Sequence, residues 1–539
     1  MVSVSYRVRV VNGRPVSVSG RIWRGTALMS GANMLARVGT FLGNLVIIRL
    51  LGLDLLGELG LIESWLKVAM MFAVFGVDAA VTKYVSHHLE SDPKQVGEIA
   101  ATALVLGGIS TALVGGLLFI VLKVPHLSGW ALRQGAGAGP TVEVLTRFAF
   151  IFPVLIALFM AKQVIVSIFY GLQAFEVFVW ANAIIGLISF PVSYLLVRWQ
   201  GLLGALEVRG VLVAVEIVLL IFPMRRALRR MGAKLSLSNF RQNGQRLLAF
   251  GLPTLVGQLV ANPVQPLMLS FLAAQPGGIV QVGLITTAQR LSSLASFVPG
   301  SMAATVMPAL STEVGRGDMR RFRDGVLVAL RMLWLSTLPV VLLLMAACPT
   351  LLGFLYGSEY VAAWPVTLLF LVIALLVGVN QSADRALAAA NRMWLSTANN
   401  LLWALMFIPL ALILIPRGMA LGYALAFLVS FALYVLIQLR WLRRLFRVRL
   451  MSLVPLFALS MLTMAAAWLI AVRLVLPVQI VAAVALAGVA VFLQWRLLLS
   501  GAERQALQRR AHRLWTRGLA LANKIDRAAE RGGPDVDGG

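Results

Sequence analysis

The sequence predicts an all-α polytopic membrane protein with about 14 transmembrane helices. Of its 539 residues, 60% are hydrophobic and only 13% are charged, whereas soluble domains average about 25% charged residues. Long apolar segments alternate with short basic loops along the chain. Because each segment is close to the ~20 residues that a helix needs to cross a bilayer, the chain is expected to span the membrane many times.

A basic segment, residues 1–24, comes first and is predicted to be a cytoplasmic tail. The fourteen segments that follow have the length and hydropathy of membrane spans. They lie at residues 25–51, 60–84, 98–122, 144–170, 174–197, 202–223, 247–272, 280–310, 326–348, 361–389, 394–415, 418–438, 453–472 and 476–498.

The distribution of Lys and Arg predicts the orientation of the chain. These residues concentrate in 1–24, in the linker 224–246, in the loops after the eighth and twelfth segments, and in 501–539. The opposite loops carry few, so both termini are predicted to be cytoplasmic, which requires an even number of spans. The net charge of +26 is then a topology signal, and no nucleic-acid partner is expected.

Weak internal repeats predict two similar halves. The dipeptide Ala-Asn at 181–182 stands 19 residues before Gly201, and the same dipeptide at 398–399 stands 19 residues before Gly418. Halves with the same topology imply a pseudo-twofold axis along the membrane normal. The two six-helix halves and a further pair of transmembrane helices are predicted at 25–223, 247–438 and 439–500.

The last segment, residues 501–539, is predicted to be an amphipathic helix followed by a disordered end. Its apolar residues recur at helical spacing between arginines, which is typical of a helix on anionic lipid or on a partner protein. These apolar positions are Leu507, Ala511, Leu514, Leu521 and Ile525.

A polar stripe on the first predicted span indicates a water-filled cavity. Its members are spaced by 3, 4, 3 and 4 residues and so share one helix face: they are Ser30, Asn33, Arg37, Thr40 and Asn44. A charged Arg near mid-membrane costs at least ~2.5 kcal/mol unless it faces protein or water. An Arg in such a cavity favours an anionic cargo, and Gln258 belongs to a matching stripe on the seventh span.

Further charged residues inside the predicted spans are candidates for the same cavity. The cationic and polar candidates for substrate binding are Arg37, Lys67, Arg290, Asn33, Asn44, Gln258, Arg147, Lys162 and Arg385. Asp78 and Asp384 are candidates for coupling to an ion. Structural ion pairs are the alternative for all of them, as for Glu63 one turn before Lys67. Arg209 is expected to extend towards the membrane surface.

Several motifs resemble those of a known transporter group. They are Ala36-Arg37-Val38-Gly39, Arg49-Leu50-Leu51-Gly52, Gly57-Glu58-Leu59-Gly60, Gly76-Val77-Asp78, Gly283-Leu284-Ile285-Thr286-Thr287-Ala288-Gln289-Arg290 and Leu355-Tyr356-Gly357-Ser358-Glu359-Tyr360. Over roughly residues 22–440, the chain resembles the polysaccharide-exporter branch of the MOP superfamily, which is related to lipid II flippases and MATE exporters.

The resemblance implies a MATE-like fold and transport by alternating access. Members of this branch move undecaprenyl-pyrophosphate-linked glycans across the bacterial cytoplasmic membrane, so Arg37 and Arg290 are expected to hold the pyrophosphate. The expected partners are a lipid-linked anionic glycan, anionic membrane lipids and glycan polymerase or assembly proteins. Neither a cofactor nor a metal is expected.

Other functions stay open at this stage. A lipid II flippase and a MATE-type exporter share the same motifs, although the first span here lacks the carboxylate common in exporters of cationic drugs. A scaffold or a glycosyltransferase of a glycan-assembly complex is a further alternative. Such enzymes normally carry a large external loop with acidic or histidine residues, and the outer loops here are short and nearly free of acids, so no enzymatic activity is expected.

Overall fold

The computed structural model describes residues 10–11, 14–15, 18–88, 92–123, 144–172, 174–259, 262–296, 310, 314, 317–390, 392–448, 453–473 and 476–498. The side chain of Asn33, although its backbone belongs to a described helix, and the amphipathic helix predicted in segment 501–539 lie outside what the structure describes.

Helices make up nearly all of the described chain, which confirms the predicted fold class. A short antiparallel pair of strands, β1 (Val10–Val11) and β2 (Arg14–Pro15), precedes them. The helices are α1 (Val18–Val74), α2 (Val77–His88), α3 (Pro93–Lys123), α4 (Ile151–Gly171), α5 (Phe175–Arg230), α6 (Phe240–Leu259), α7 (Val264–Ala273), α8 (Gly278–Ser292), α9 (Met319–Ala346), α10 (Cys348–Leu355), a 3₁₀ turn at Ser358–Ala363, α11 (Trp364–Ala389), α12 (Met393–Phe446), α13 (Val454–Arg473) and α14 (Leu476–Leu498).

Each of the fourteen predicted spans overlaps a helix. Six helical stretches in the described part of the chain are long and apolar enough to cross a membrane, by length and composition. They are Pro93–Lys123, Ile151–Gly171, Met319–Ala346, Ser358–Ala389, Trp394–Phe446 and Val454–Val472. The chain is therefore a multi-pass membrane protein, while the number of fourteen crossings stays a prediction.

Three long helices each join two predicted spans across a sharp break. The breaks lie at Gly52 in α1 (φ 75°), Gly201 in α5 (φ 56°) and Met419 in α12 (φ 50°). Glycine adopts a positive φ readily because it has no Cβ. At Met419 a positive φ with ψ of −125° is strained, since such sparsely populated backbone angles cost a non-glycine residue about 1–3 kcal/mol. Each break falls close to a predicted boundary between spans.

The breaks in α5 and α12 have the same geometry, which supports an internal repeat. Met419 stands 218 residues after Gly201, and ψ is −125° at both. A Cβ at Gly204 would lie 2.0 Å from the Leu196 carbonyl oxygen, and the same construction at Gly422 gives 2.1 Å to the oxygen of Leu414. The sequence spacing pairs Gly201 with Gly418, one residue before the structural equivalent. The boundaries of the two halves stay a prediction.

The seventh predicted span is two helices rather than one. Helix α6 ends at Leu259 and α7 begins at Val264, directly after Pro263. Proline lacks the N–H that would continue the helical ladder, so it fits best at the start of a helix. Pro263 accordingly stands directly before α7, whereas Pro253 lies inside α6.

Contacts divide the chain into two compact units. Unit 1 comprises Met1–Leu294, Cys348–Leu376 and Arg392–Gln438, and unit 2 comprises Ala295–Ala347, Val377–Asn391 and Leu439–Gly539. Within unit 1, α1 packs along both α5 and α8, and α3 packs on α4. Within unit 2, α9 packs on α13 and α14. There the Trp334 indole N–H donates to the Ser460 hydroxyl at 2.6 Å.

Candidate functional site

Small residues bring α1 into backbone contact with α5 and α8. A Cβ at Gly39 would lie 2.0 Å from the carbonyl oxygen of Gly186 on α5. A Cβ at Gly57 would lie 2.1 Å from the oxygen of Ile279 on α8. No side chain fits at such distances, so glycine at these positions allows the three helices to meet closely, as in other tightly packed membrane helices.

Four polar side chains meet where these helices converge. The break at Gly52 divides α1 into two arms: Asn44 lies on the arm before it and Glu63 on the arm after it. Arg209 comes from α5 and Arg290 from α8. The Arg209 Nη2 donates to Glu63 Oε1 and to Asn44 Oδ1, both at 2.9 Å, and its Nε donates to Glu63 Oε1 at 3.1 Å. From Arg290, Nη1 donates to Asn44 Oδ1 at 3.1 Å, and Nη2 donates to both Glu63 oxygens at 3.2 and 3.3 Å. These four residues are called the Glu63 cluster below.

The Glu63 cluster carries more positive than negative charge. Two guanidinium groups share one carboxylate, and Asn44 is neutral, so the sum is one positive charge. The side chains of Arg290, Glu63 and Arg209 are 13%, 21% and 23% exposed. At this partial burial an ion pair is less screened than on a surface. The cluster is therefore a cationic site whose own carboxylate partly neutralises it.

Both guanidinium groups have unused donors. A guanidinium carries five N–H groups, and Arg209 uses only Nε and Nη2 within the described part of the chain. The Arg290 side chain likewise donates only from its two terminal nitrogens there. The remaining N–H groups suit the oxygens of a phosphate, which arginine binds in a bidentate manner.

Tyr356, in the turn that follows α10, lies within electrostatic range of Arg290. Its side chain is 3% exposed, and its hydroxyl makes no hydrogen bond to any described residue. The Tyr360 hydroxyl, in the 3₁₀ turn Ser358–Ala363, donates a hydrogen bond to the Ile48 carbonyl of α1 at 2.5 Å. A buried hydroxyl without a partner costs about 1–3 kcal/mol, so a ligand that accepts a hydrogen bond from Tyr356 would recover that cost.

Two other predicted cationic residues lie near the cluster in sequence but outside its hydrogen bonds. Lys67 is exposed, one turn after Glu63, and adds a favourable charge interaction with that carboxylate. Glu63 itself pairs with the arginines rather than with Lys67. Arg37 is exposed and lies two turns before Asn44 on the same face of α1, about 10 Å away along the axis.

Two of the predicted basic residues form ion pairs elsewhere in unit 1. Arg147 Nη1 lies 3.2 Å from Glu58 Oε2, and the Arg147 side chain is half exposed. Lys162 Nζ lies 2.7 Å from Glu216 Oε2, whose side chain is 3% exposed. The ion pair foreseen as the alternative is thus present in both cases, and a substrate-binding role for either residue stays a prediction.

The other predicted site residues are spread over the fold. Gln258 is exposed on α6. Asp78 accepts a hydrogen bond from Gln163 Nε2 at 3.1 Å. Asp384 and Arg385 belong to unit 2, where Arg385 is exposed. The described residues contain no cluster of three or more His, Cys, Asp or Glu that could hold a metal.

Arg209 and Tyr356 are the members of the site that sequence reasoning missed. The expectation that Arg209 extends to the membrane surface is wrong, because its guanidinium is hydrogen-bonded to Glu63 and Asn44. Its place 146 residues from Glu63 in the chain left no local pattern to detect. Tyr356 does lie in one of the motifs quoted above, but the motif alone does not place its hydroxyl beside Arg290.

Solved structures with a similar fold are membrane transporters. An inward-facing multidrug resistance MATE family transporter of the MOP superfamily matches 77% of this chain and 98% of its own, with a TM-score of 0.63 and 16% identity. The lipid II flippase MurJ, in an inward closed conformation, matches 87% and 99%, with a TM-score of 0.65 and 13% identity. The eukaryotic MATE transporter AtDTX14 matches 87% and 99%, with a TM-score of 0.57 and 16% identity.

The chain therefore has the fold of these transporters, two of which are MATE family transporters and one a lipid II flippase. The family model for polysaccharide biosynthesis proteins matches residues 22–313, more than half of the chain. The chain therefore belongs to the polysaccharide biosynthesis protein family. No curated protein sequence matches it.

Proposed function

We propose that the protein flips an undecaprenyl-pyrophosphate-linked oligosaccharide or polysaccharide precursor across the bacterial cytoplasmic membrane by alternating access. The observation that carries this proposal is the Glu63 cluster, in which two arginines from different helices share one carboxylate and one amide. The family to which the chain belongs supports a glycan as cargo. The excess of Lys and Arg in alternate loops supports cytoplasmic termini.

The cluster has the chemistry to exchange its own carboxylate for a pyrophosphate. A pyrophosphate carries more negative charge than Glu63 and offers more acceptor oxygens. Arg209 and Arg290 would keep their orientation while their unused N–H groups take up the additional oxygens. Tyr356 would gain a partner for its buried hydroxyl. Arg37 and Lys67, both exposed, would meet the anion on its way to the cluster.

The same exchange would loosen a tie between helices. Asn44 lies before the break at Gly52 and Glu63 lies after it, so the cluster connects both arms of α1 to α5 and α8. When the anion takes over the arginines, the Glu63 arm is no longer held by them. Binding energy would then favour a different arrangement of the arms, as alternating access requires.

Leaflet transfer in proteoliposomes tests the proposal. Wild type and Arg209→Gln/Arg290→Gln are reconstituted with a fluorescent undecaprenyl-pyrophosphate glycan, and outer-leaflet probe is measured with an impermeant quencher. Transfer by wild type that is lost in the double variant is the expected result. Arg321→Gln is the matched control, since Arg321 also forms an ion pair, with Asp318 at 3.3 Å, but is 70% exposed.

Three results would contradict the proposal. Absence of transfer for every lipid-linked glycan tested, with wild type folded, would exclude a flippase for this class. Efflux of a cationic drug by wild type would indicate a MATE-type exporter instead. Equal loss of transfer in Arg321→Gln and in the cluster variant would show that a general loss of charge, not the Glu63 cluster, is responsible.

A further inference from the structure

An apolar groove with a cationic end lies in unit 1, away from the Glu63 cluster. It is formed by the end of α4 together with the first and last turns of α5, and has a volume of about 690 Å³. Apolar side chains form most of its lining, among them Phe169, Trp180 and Phe222. Arg226 and Arg230 line the end at which α5 starts and finishes.

Several apolar side chains of the groove are not covered by other parts of the described chain. The side chains of Ile184, Trp180 and Phe222 are 43%, 56% and 68% exposed. Such residues on a membrane helix face lipid, and tryptophan is enriched near the membrane surface. The walls of the groove are therefore suited to a hydrocarbon chain.

Two of the four neighbouring arginines line the cationic end of the groove. Arg226 and Arg230 are four residues apart, so they share one face of α5. Arg225 and Arg229 are equally basic but do not line the groove. These arginines belong to the basic linker 224–246, whose first residues form the end of α5. The charge pattern predicts a cytoplasmic position for this linker. The combination of an apolar channel with two arginines at the membrane surface complements an anionic headgroup on an acyl chain.

We propose that this groove binds an acidic glycerophospholipid of the cytoplasmic leaflet, with its acyl chain along Trp180 and Phe222 and its phosphate between Arg226 and Arg230. A zwitterionic headgroup would bring a positive charge towards the same arginines and is disfavoured.

The lipid in this groove is one that is held rather than transported. Arg226 lies 17 residues after Arg209 in α5, which corresponds to about 25 Å along the helix. A phosphate bound by Arg226 and Arg230 is thus far from the Glu63 cluster. Such a lipid would anchor the two ends of α5, the helix that supplies Arg209, to the cytoplasmic leaflet.

Photo-crosslinking tests this proposal independently of transport. The protein is placed in phosphatidylcholine nanodiscs that contain phosphatidylglycerol with a diazirine on its acyl chain. Crosslinked peptides are expected to contain Phe169, Trp180 or Phe222. Each arginine contributes roughly fivefold to binding of an anionic lipid, so Arg226→Gln/Arg230→Gln should weaken phosphatidylglycerol binding about 25-fold.

The matched control is Arg225→Gln/Arg229→Gln, which removes the same charge from the same turns of α5. Its crosslinking should equal that of wild type. A second variant, Ile184→Trp, keeps all charges and should reduce crosslinking by filling the groove. Circular dichroism and size-exclusion chromatography report whether each variant is folded.

The proposal is overturned if both arginine pairs reduce crosslinking equally, or if a phosphatidylcholine probe labels the groove as strongly as phosphatidylglycerol. It is also overturned if undecaprenyl phosphate displaces the probe in preference to unlabelled phosphatidylglycerol, because the groove would then belong to the carrier lipid. If the flippase assay fails while the groove is labelled as expected, the proposed transport function is refuted and the lipid-binding groove is not.

Discussion

Gly57 of α1 and Gly283 of α8 face each other where the two helices cross. A Cβ added at Gly57 would lie 2.1 Å from the Ile279 oxygen and 3.1 Å from the Gly283 nitrogen. One added at Gly283 would lie 2.2 Å from the Leu53 oxygen. Glu63 and Arg290 follow these glycines by about two turns on their own helices, so this contact sets the distance between the carboxylate and the guanidinium.

A single methyl group at Gly283 should therefore disturb the Glu63 cluster. Gly283→Ala is expected to destabilise the protein by about 1–3 kcal/mol, because the backbones must separate, and to weaken binding of inorganic pyrophosphate. Thermal unfolding in detergent and pyrophosphate titration measure the two effects. Gly108→Ala is the control, since a Cβ at Gly108 has no atom within 4 Å. Equal effects of both substitutions would refute the role of the close contact.

Removing the carboxylate of the cluster should make the protein depend on an added anion. In Glu63→Gln two guanidinium groups lose the charge between them, and loss of one partner from a buried ion pair costs about 3–5 kcal/mol. The melting temperature should fall, and inorganic pyrophosphate should raise it more than in wild type. Glu58→Gln serves as the control, because Glu58 pairs with the half-exposed Arg147. A similar response to pyrophosphate in both variants would contradict this account.

Tyr356→Phe should separate folding stability from anion binding. Removing a buried hydroxyl that has no partner among the described residues should stabilise the anion-free protein by about 1 kcal/mol. Pyrophosphate affinity should fall, because a donor beside Arg290 is lost. Unfolding with and without pyrophosphate measures both quantities. An unchanged affinity would show that Tyr356 does not contact the anion.

The strained break in α12 predicts a stabilising substitution. Met419 has a φ of 50°, a backbone angle that costs a non-glycine residue about 1–3 kcal/mol. Met419→Gly should therefore raise the melting temperature, whereas Gly201→Ala at the equivalent break of α5 should lower it. Both are measured by thermal unfolding in the same detergent. A loss of stability in Met419→Gly would show that the Met419 side chain contributes more through packing than its backbone costs.

The Lys162–Glu216 pair tests whether Lys162 has a structural or a substrate-binding role. Glu216→Gln leaves a half-buried ammonium unpaired and should destabilise the protein by about 3–5 kcal/mol. The double variant Lys162→Met/Glu216→Leu replaces the pair by apolar groups and should recover most of that stability. If Lys162 is structural, the double variant transports normally; loss of transport in a stable double variant would assign Lys162 to the substrate path.

The sequence predicted much of the helical architecture because its signals are local. Apolar segments of the right length mark the spans, and glycine marks where two of them end, at Gly52 and Gly201, whereas Pro263 was placed inside a single predicted span. Met419 escaped because methionine carries no signal for a positive φ. Its backbone angles match those of Gly201 in the other repeat, but the sequence spacing pointed to the neighbouring Gly418.

The candidate site was only partly predictable. Arg290 and Asn44 stood out because polar groups on apolar helices are unusual, and the structure brings both into the Glu63 cluster. Arg209 was missed, and Glu63 was assigned to Lys67, because neighbours in sequence were the only partners that periodicity could offer. Arg147 and Lys162 looked equally promising, but they pair with Glu58 and Glu216, which are distant in the chain.

By itself the sequence determined the class of protein, the approximate helices and the excess of basic over acidic residues, because composition and periodicity act within one segment. Only the tertiary structure decided which charges meet. The glycine contacts of α1 with α5 and α8 are long-range, and in this packing Glu63 lies 2.9 Å from Arg209 and 3.2 Å from Arg290. Ion pairing falls off over a few ångströms, so its partners depend on packing rather than on order along the chain.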